Sequence, residues 1–363
     1  MKIGFVAEPY EESHASGMGY VVLEFIKNIA AQSAGDELVV YSTKPVNREL
    51  LPGPFTNILI PKGFVKQFFY FLRFSKQVDA LLFIAPLLPL WLPRHTKAVL
   101  VCQELASQNI TPKGLRDRTR SFLRDNILMP VCVARASKII AASQSTQRDI
   151  LKFYRVPVGK VQVIYDGFQD LSRFKDVAAP IDETMRPYFF FAGKVKYRKN
   201  VHGIVAAFIA LKKRRPSAVK LIIAGDYGGE YHASMLQALE EAGFAQDVFF
   251  IGYVTSEKLY SLYKYATGFV FPSINEGFGM PPVEAMSLGV PVLTSKISSM
   301  AEVAGDAALL VDPFSVEEIS DAMEKILFDD TVRTDLIHKG YERAKKFSWP
   351  LAASECLALL RGL

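Results

Sequence analysis

The chain has 363 residues, of which half are hydrophobic and 22% are charged, so a disordered or fibrous protein is excluded and about two domains are expected. Its cysteines, Cys102, Cys132 and Cys356, are too few and too widely spaced for a disulfide framework or a cysteine metal site. Residues 1–180 carry a net charge of +8 and residues 181–363 a net charge of −2, which favours an anionic partner for the first half.

Neither a signal peptide nor a membrane helix is predicted. The apolar run near the N-terminus is too short for a signal peptide, and no uninterrupted apolar stretch reaches the roughly 18–20 residues of a membrane span. The best candidate, Leu81–Pro93, contains Pro86 and Pro89 and is predicted to be a buried strand that leads into a proline-rich loop. We therefore expect a cytoplasmic protein.

Strands and helices are predicted to alternate along the first half. A helix over Tyr20–Ala31 is predicted from apolar residues at helical spacing. The predicted strands are Ile3–Ala7, Leu38–Ser42, Thr96–Cys102 and Lys138–Ala142. Such alternation is typical of a parallel sheet with helices on both faces.

The second half repeats this alternation. Its predicted strands are Tyr188–Ala192, Val219–Ala224, Val248–Ile251, Gly268–Phe271 and Pro291–Thr294. Its predicted helices are Val201–Arg214, His232–Glu241, Glu257–Tyr265, Pro281–Ser287 and Val316–Leu327. We predict two α/β domains, each a doubly wound Rossmann-like sheet, with ligands bound at the carboxyl ends of the strands in a cleft between the domains.

The polar stretch Asp166–Pro187 has little periodicity and marks the predicted domain boundary. The expected domains are residues 1–175 and residues 185–345. A final helix over residues 346–363 is expected to pack back on the first domain.

The strongest motif is the segment Pro272–Met286, which follows a strand and opens a helix. Gly277 and Gly279 allow a tight turn and a close approach of the backbone to a ligand. Pro281 and Pro282 suit a first helical turn, whose free N–H groups favour phosphate.

Two carboxylates belong to the same segment. Glu276 lies in the loop and Glu284 is expected in the first turn of the helix, so both can face one cleft. A carboxylate repels phosphate, and these two side chains therefore suit sugar or ribose hydroxyls. The alternative for Glu284 is a simple interaction with the helix dipole.

A basic loop, Gly193–Asn200, also lies between a strand and a helix and carries four cations in six residues. Arg198 can bind two phosphate oxygens at once, and Lys199 can add a second charge. A solvated basic turn is the alternative. By contrast, Gly17 and Gly19 are only a weak nucleotide-binding signal. Val22 stands where a dinucleotide motif needs a third glycine, which argues against a nicotinamide enzyme.

Taken in order, these motifs resemble glycosyltransferase family 4, which has the GT-B fold of two Rossmann-like domains. The resemblance covers nearly the whole chain. Its segments are Gly17–Tyr20, Ile139–Ser143, Val163–Gly167, Gly193–Asn200, the E-x7-E pair Glu276 and Glu284, Val290–Val292, Glu302–Gly305 and Leu310–Pro313.

The resemblance implies a retaining hexosyltransferase, mannosyl or glucosyl for example, acting in surface polysaccharide synthesis such as that of lipopolysaccharide. Its donor would be a UDP- or GDP-sugar, and its acceptor a glycan or a lipid-linked glycan, with no metal required. Arg198 and Lys199 would bind the donor diphosphate, Glu276 the transferred sugar and Glu284 the ribose. Further donor contacts would come from Gly17, Gly19, Gly193, Tyr253, Gly277, Phe278, Gly279 and Met280, with Tyr253 near the base.

One departure concerns the first domain, where family members often carry His-Asp at the end of a strand. Gln103 and Glu104 stand there instead, and Asp166 replaces the usual asparagine of the interdomain stretch. Glu104 is our candidate for an acceptor-side base, with local packing as the alternative. Because Gln103 cannot take up a proton, a sugar-nucleotide-binding scaffold without turnover stays open as a second function.

The basic, aromatic stretch Lys62–Lys76 has four cations and no acid, and Lys113–Arg124 adds five cations. Such a composition suits an anionic membrane surface, so peripheral binding to the inner face of the plasma membrane is one expectation. A buried aromatic helix with a solvated basic edge is the other. Nucleic acid is not expected as a partner, because no recognised binding module accompanies the charge.

Overall fold

The computed structural model describes residues 1–7, 18–33, 35–49, 51, 53–62, 66, 69–71, 78–83, 96–105, 126, 128–177 and 181–363. The chain forms two compact units. The first consists of Met1–Gly167 together with Ser348–Leu363, and the second of Phe168–Phe347. The division after Gly167 falls earlier in the chain than the expected limit at residue 175.

The first unit contains a parallel sheet, in which the described residues form seven strands in the order β3-β2-β1-β4-β5-β6-β7. The strands are β1 Lys2–Val6, β2 Glu37–Ser42, β3 Thr56–Leu59, β4 Ala80–Phe83, β5 Lys97–Cys102, β6 Lys138–Ala141 and β7 Val161–Val163. The helices described here are α1 Met18–Gln32, α2 Met129–Arg135 and α3 Gln144–Tyr154. The strand order reverses between β1 and β4, as in a doubly wound sheet.

The second unit repeats this arrangement with six parallel strands in the order β10-β9-β8-β11-β12-β13. They are β8 Tyr188–Ala192, β9 Lys220–Ala224, β10 Val248–Gly252, β11 Gly268–Phe271, β12 Val292–Ser295 and β13 Ala308–Val311. The helices are α4 Val201–Arg214, α5 Gly229–Ala242, α6 Ser256–Lys264, α7 Met280–Ser287, α8 Met300–Ala304, α9 Val316–Phe328 and α10 Asp330–Ala344. Both sheets confirm the predicted doubly wound α/β fold.

Aromatic side chains fill the core beneath the centre of the second sheet. Phe191 of β8 stacks on Phe271 of β11 at 5.6 Å, and Phe190 meets the ring of Tyr263 on α6 edge to face at 5.1 Å. Each of these side chains is fully buried. Because close-packed rings resist displacement, the ends of β8 and β11 are held in a fixed relation.

The last helix, α11 Trp349–Arg361, packs on α1 and so belongs to the first unit. Trp349 meets Phe25 edge to face at 5.6 Å, and the Gln32 amide donates to the carbonyl oxygen of Pro350 at 2.8 Å. Arg361 forms an ion pair with Asp36 at 2.8 Å. A helix near the C-terminus thus completes the N-terminal unit.

The structure adds the strands β3, β7 and β13 and the helices α8 and α10 to the predicted elements. The three added strands are short, lie at the edges of their sheets and are partly exposed. Among the described residues, no helix combines the length and the apolar character that a membrane span requires. The stretch Lys62–Lys76 lies mostly outside these residues, although Phe71 is buried in the core of the first unit.

Candidate active site

The strand order of the second sheet reverses between β8 and β11, and the two strongest motifs follow these two strands. Gly193 comes directly after β8, and Pro272 comes directly after β11. Since parallel strands present their carboxyl ends at one edge, the topology brings the basic loop next to the Glu276 loop. This switch point is where doubly wound sheets bind ligands.

Hydrogen bonds to the segment after β11 hold the basic loop in place, which argues against a simple solvated turn. Tyr197–Lys199 forms one 3₁₀ turn, and Asn200 follows in the left-handed conformation with φ of 57°. The buried Asn200 amide donates to the carbonyl oxygen of Pro272 at 3.1 Å, and the backbone N–H of Ile274 donates to that of Arg198 at 2.8 Å. These bonds tie the cations to the end of β11.

Glu276 lies between the two cations predicted to bind phosphate. Its Oε1 is 2.6 Å from Lys199 Nζ, and its Oε2 is 3.2 Å from the Arg198 guanidinium. The Ser273 hydroxyl lies 2.6 Å from Oε1 as well. Burial pushes the pKa of Glu276 upward, but the charges of Lys199 and Arg198, with hydrogen bonds from Lys199 and Ser273, hold it below its usual value.

Serines missed by the sequence analysis support the Glu276 backbone. Ser298 adopts a left-handed φ of 59°, accepts the Glu276 N–H at 3.0 Å and lies 2.8 Å from the Glu276 carbonyl oxygen. Ser299 donates from its buried hydroxyl to the carbonyl oxygens of Glu276 or Phe278, at 2.9 and 3.0 Å. These serines lie far along the chain, and no local pattern links them to Glu276.

Gly279 carries the turn that opens α7. Its φ is 98°, and a Cβ there would lie 2.1 Å from Cε of Met300, so only glycine fits without rearrangement. Gly277, to which the sequence analysis assigned the same freedom, is not in the positive-φ region. Phe278 is buried against Phe347 at a ring separation of 5.2 Å, so its ring is not available to a ligand.

Glu284 is the fifth residue of α7 and not, as predicted, a residue of the first turn, because the helix begins at Met280. This position weakens the helix-dipole alternative, since that interaction acts within the first turn. The Tyr263 hydroxyl donates to Glu284 Oε2 at 3.1 Å, and the backbone N–H of Gln169 also bonds to the carboxyl. Burial raises the pKa of Glu284 to about 7, against the lowering effect of these two bonds.

Two further predicted contact residues follow strands of this sheet. Gly193 adopts a φ of 145°, and its carbonyl oxygen would lie 2.1 Å from a Cβ on Gly225, so the two backbones approach closely. Tyr253 comes directly after β10 and is 62% exposed. Both are therefore at the same edge of the sheet as Glu276.

In the first unit the structure describes only part of the predicted site. Gly17 lies outside the described residues, and Gly19 is the second residue of α1. Gln103 follows β5, and its amide donates to Oδ1 of Asp166 at 3.1 Å. Asp166 is buried, which raises its pKa to about 7 against the effect of the Gln103 bond. Glu104, the proposed base, is partly buried next to this pair.

No cluster of three or more histidine, cysteine, aspartate or glutamate side chains suited to a metal occurs among the described residues. The three cysteines are all buried. At the switch point the charges are instead those of Arg198, Lys199 and Glu276. This arrangement can bind an anion through its cations and polar hydroxyls through its carboxylate.

Residues 173–343 match the family model for glycosyl transferases group 1. The O-antigen chain mannosyltransferase B of Escherichia coli is 33% identical over 221 residues, which are 59% of this chain and 58% of that protein. This chain therefore spans less than two thirds of that relative's length.

Solved structures match the fold of the whole chain at low identity. The Anabaena HepE protein, solved with UDP and glucose, has a TM-score of 0.75 at 16% identity and full coverage of both chains. WaaG, a glycosyltransferase involved in lipopolysaccharide biosynthesis, has a TM-score of 0.70 at 16% identity, covering 99% of this chain and 100% of its own. The fold is thus that of GT-B glycosyltransferases.

Proposed function

We propose that this protein is a retaining hexosyltransferase that moves a sugar, mannose as the first candidate, from a nucleotide-sugar to a glycan or lipid-linked glycan acceptor in surface polysaccharide synthesis. The observation that carries the proposal is the cluster of Lys199, Arg198 and Glu276 at the switch point of the second sheet. It lies inside the segment that matches the glycosyl transferases group 1 model.

The two cations suit the diphosphate of the donor. Lys199 and Arg198 are partly neutralised by Glu276 before a donor binds, and a diphosphate brings additional negative charge to them. As the glycosidic bond of the donor breaks, charge grows on the leaving phosphate, and preorganised cations stabilise it. In this proposal the protein's own cations perform that role without a metal.

In this proposal the two carboxylates bind hydroxyls of different parts of the donor. Glu276 stays ionised next to its cations, so it can accept hydrogen bonds from the transferred sugar. Glu284 accepts hydrogen bonds from the ribose. The likeness to HepE, whose structure contains UDP, supports a UDP-sugar as a donor to test, and the likeness to the E. coli mannosyltransferase supports mannose as the sugar. A GDP-sugar is the other donor to test, because the sequence resemblance implies it.

The test is a transfer assay with purified protein, GDP-mannose or UDP-glucose, and an O-antigen-type oligosaccharide acceptor. We expect acceptor-dependent release of nucleoside diphosphate and a product one hexose heavier by mass spectrometry. NMR of the new anomeric centre checks retention. Absence of transfer from every UDP- and GDP-hexose, by protein that binds none of the nucleotides, would contradict the proposal.

A sugar-nucleotide-binding scaffold is the second candidate, and Gln103 is the observation that favours it. Its amide is hydrogen-bonded to Asp166 at 3.1 Å and has no basic group to accept a proton. Tight nucleotide binding with neither donor hydrolysis nor transfer would identify a scaffold. Transfer that is lost on Glu104→Gln would instead support Glu104 as the acceptor-side base.

Membrane docking of the first unit is proposed separately. It is motivated by the net charge of +8 on residues 1–180 and by the aromatic residues between Lys62 and Lys76. Of the three described aromatic residues of this stretch, Phe69 is 61% exposed, Tyr70 is partly buried and Phe71 is fully buried. Co-sedimentation with vesicles of 30% phosphatidylserine, across a salt series, tests docking. No binding at low salt would exclude it.

A further inference from the structure

Helix α6 packs on β8 and β11 of the second sheet and contacts the Glu284 carboxyl through Tyr263. Tyr263, on the last turn of α6, is fully buried, with its ring 5.1 Å from the rings of Phe190 and Phe269. Its hydroxyl lies 3.1 Å from Glu284 Oε2. The carbonyl oxygen of Pro281 lies farther from this hydroxyl, at 3.4 Å, so the carboxyl is its nearer acceptor.

The same helix holds Glu284 a second time, through Gln169. The Gln169 side chain donates to the Ser256 hydroxyl, at the first residue of α6, at 3.0 Å. The backbone N–H of Gln169 bonds to the Glu284 carboxyl. A carboxylate has about four acceptor sites, and these two neutral donors use two of them.

We infer that Tyr263 is a positioning residue that orients the Glu284 carboxyl and favours its ionised form, so that its remaining acceptor sites bind the ribose hydroxyls of the nucleotide. This inference rests on the proposed nucleotide-sugar function. In this inference Tyr263 does not contact the nucleotide itself, but it sets the orientation of Glu284, which does.

The Tyr263 hydroxyl matters for the ionisation of Glu284 because no cationic partner lies around this carboxyl among the described residues. Burial raises the pKa of Tyr263 well above its usual value, so the hydroxyl keeps its proton and acts towards the carboxylate as a donor. On the elements packed against α7, Arg343 of α10 binds the carbonyl oxygens of Glu302 and Val303. Lys339 of α10 pairs with Asp335 at 2.7 Å.

Arg333, the third cation of α10, pairs with Asp330. No cation of α10 offsets the burial of Glu284, whose pKa is moved by burial, Tyr263 and Gln169. Removal of the Tyr263 hydroxyl therefore raises the pKa of Glu284 further. At neutral pH more of the carboxyl would then be protonated, and fewer acceptor sites would face the ribose.

The test compares Tyr263→Phe with Tyr188→Phe. Tyr188 is the matched control, because it is also fully buried and its hydroxyl donates to the carbonyl oxygen of Leu262 on α6 at 2.9 Å. Each variant loses one buried hydroxyl, but only one of the two hydroxyls contacts Glu284. The probes are UDP and GDP with their 2′-deoxy and 3′-deoxy forms, titrated by calorimetry between pH 5.5 and 9.

For Tyr263→Phe we expect affinity for the ribonucleotide to fall about three- to tenfold at pH 7. The pH midpoint of binding should move upward relative to wild type, and the loss should shrink for the deoxy form that lacks the bound hydroxyl. Tyr188→Phe should leave the midpoint unchanged.

Two outcomes overturn the inference in distinguishable ways. If wild type binds UDP or GDP but Tyr263→Phe has the same pH midpoint as wild type and Tyr188→Phe, the positioning role is wrong and the proposed function stands. If wild type binds no nucleoside diphosphate at all, the proposed function fails and the inference fails with it.

Discussion

Glu276 and Glu284 are buried to the same extent, at 8% exposure each, and they lie on either side of the turn that opens α7. Their surroundings differ. Glu276 contacts two cations, Lys199 and Arg198, and its pKa is lowered. Glu284 contacts two neutral donors, and its pKa is raised to about 7. Partners rather than depth of burial therefore decide which carboxylate is ionised at neutral pH.

The different partners of Glu276 and Glu284 suit them to two different roles in binding hydroxyls. A carboxylate held among cations keeps its charge while a diphosphate competes for those cations. A carboxylate held by neutral donors lies close to its titration point and responds to small changes around it. The predictions below test whether the two environments have these separate consequences.

The largest effect is expected from Lys199→Ala. This change removes the closer of the two cations next to Glu276, which is also a proposed diphosphate ligand, so affinity for a nucleoside diphosphate should fall roughly ten- to a hundredfold. Arg198→Ala, at a more exposed position, should act in the same direction. Calorimetry measures both. Lys339→Ala, which breaks an exposed ion pair on α10, is the control and should bind as wild type does.

An unchanged affinity in both Lys199→Ala and Arg198→Ala would contradict the phosphate assignment. The basic loop would then act only to neutralise Glu276.

Glu276→Gln should reduce turnover of the intact sugar donor more than it reduces binding of the bare nucleotide. In the proposed function the carboxylate faces the sugar, while the nucleotide contacts the two cations, which this change leaves in place. Steady-state kinetics and nucleotide titration on the same folded sample separate the two effects. Equal losses for both ligands would place Glu276 on the nucleotide instead.

The two carboxylates should change stability with pH in opposite directions. The raised pKa of Glu284 means that its contribution is complete below about pH 4.5 and is lost as the pH rises to about 7, a change on the order of 3 kcal/mol. The lowered pKa of Glu276 means that its contribution is present above pH 4.5 and is lost at lower pH.

Thermal unfolding of Glu284→Gln and Glu276→Gln across about pH 2.5 to 8, each subtracted from wild type, measures these slopes. The stability contribution of Asp166 should change with pH in the same direction as that of Glu284, because burial raises its pKa to about 7 as well. Asp166→Asn therefore provides a reference for that direction. Difference curves with the same sign for Glu284 and Glu276 would contradict the assignment of their environments.

The smallest effect is expected from chelation. If Lys199 and Arg198 supply the positive charge that stabilises the leaving diphosphate, transfer should survive EDTA almost unchanged. The assay is the transfer reaction after dialysis against the chelator. Full inactivation that a divalent ion restores would show that the cations of the protein are not sufficient.

Much of this fold could be predicted from local pattern. Tyr188–Ala192, Val201–Arg214 and Gly268–Phe271 have the bounds expected from the sequence, because continuous apolar runs and helical spacing are local signals. Strands such as β3 and β7 were missed, since they lie at sheet edges and contain polar, partly exposed residues, whereas the equally short Gly268–Phe271 is a continuous buried apolar run. The two-sheet architecture followed from the alternation of elements.

The sequence by itself identified the residue types of the site: two cations after one strand and two carboxylates after another. Only the tertiary structure decided how they are paired. Lys199 and Glu276 meet because β8 and β11 are neighbours at the switch point, and Tyr263 reaches Glu284 because α6 packs beneath the sheet. Contacts between residues distant in the chain set the pKa values, and no local pattern encodes such contacts.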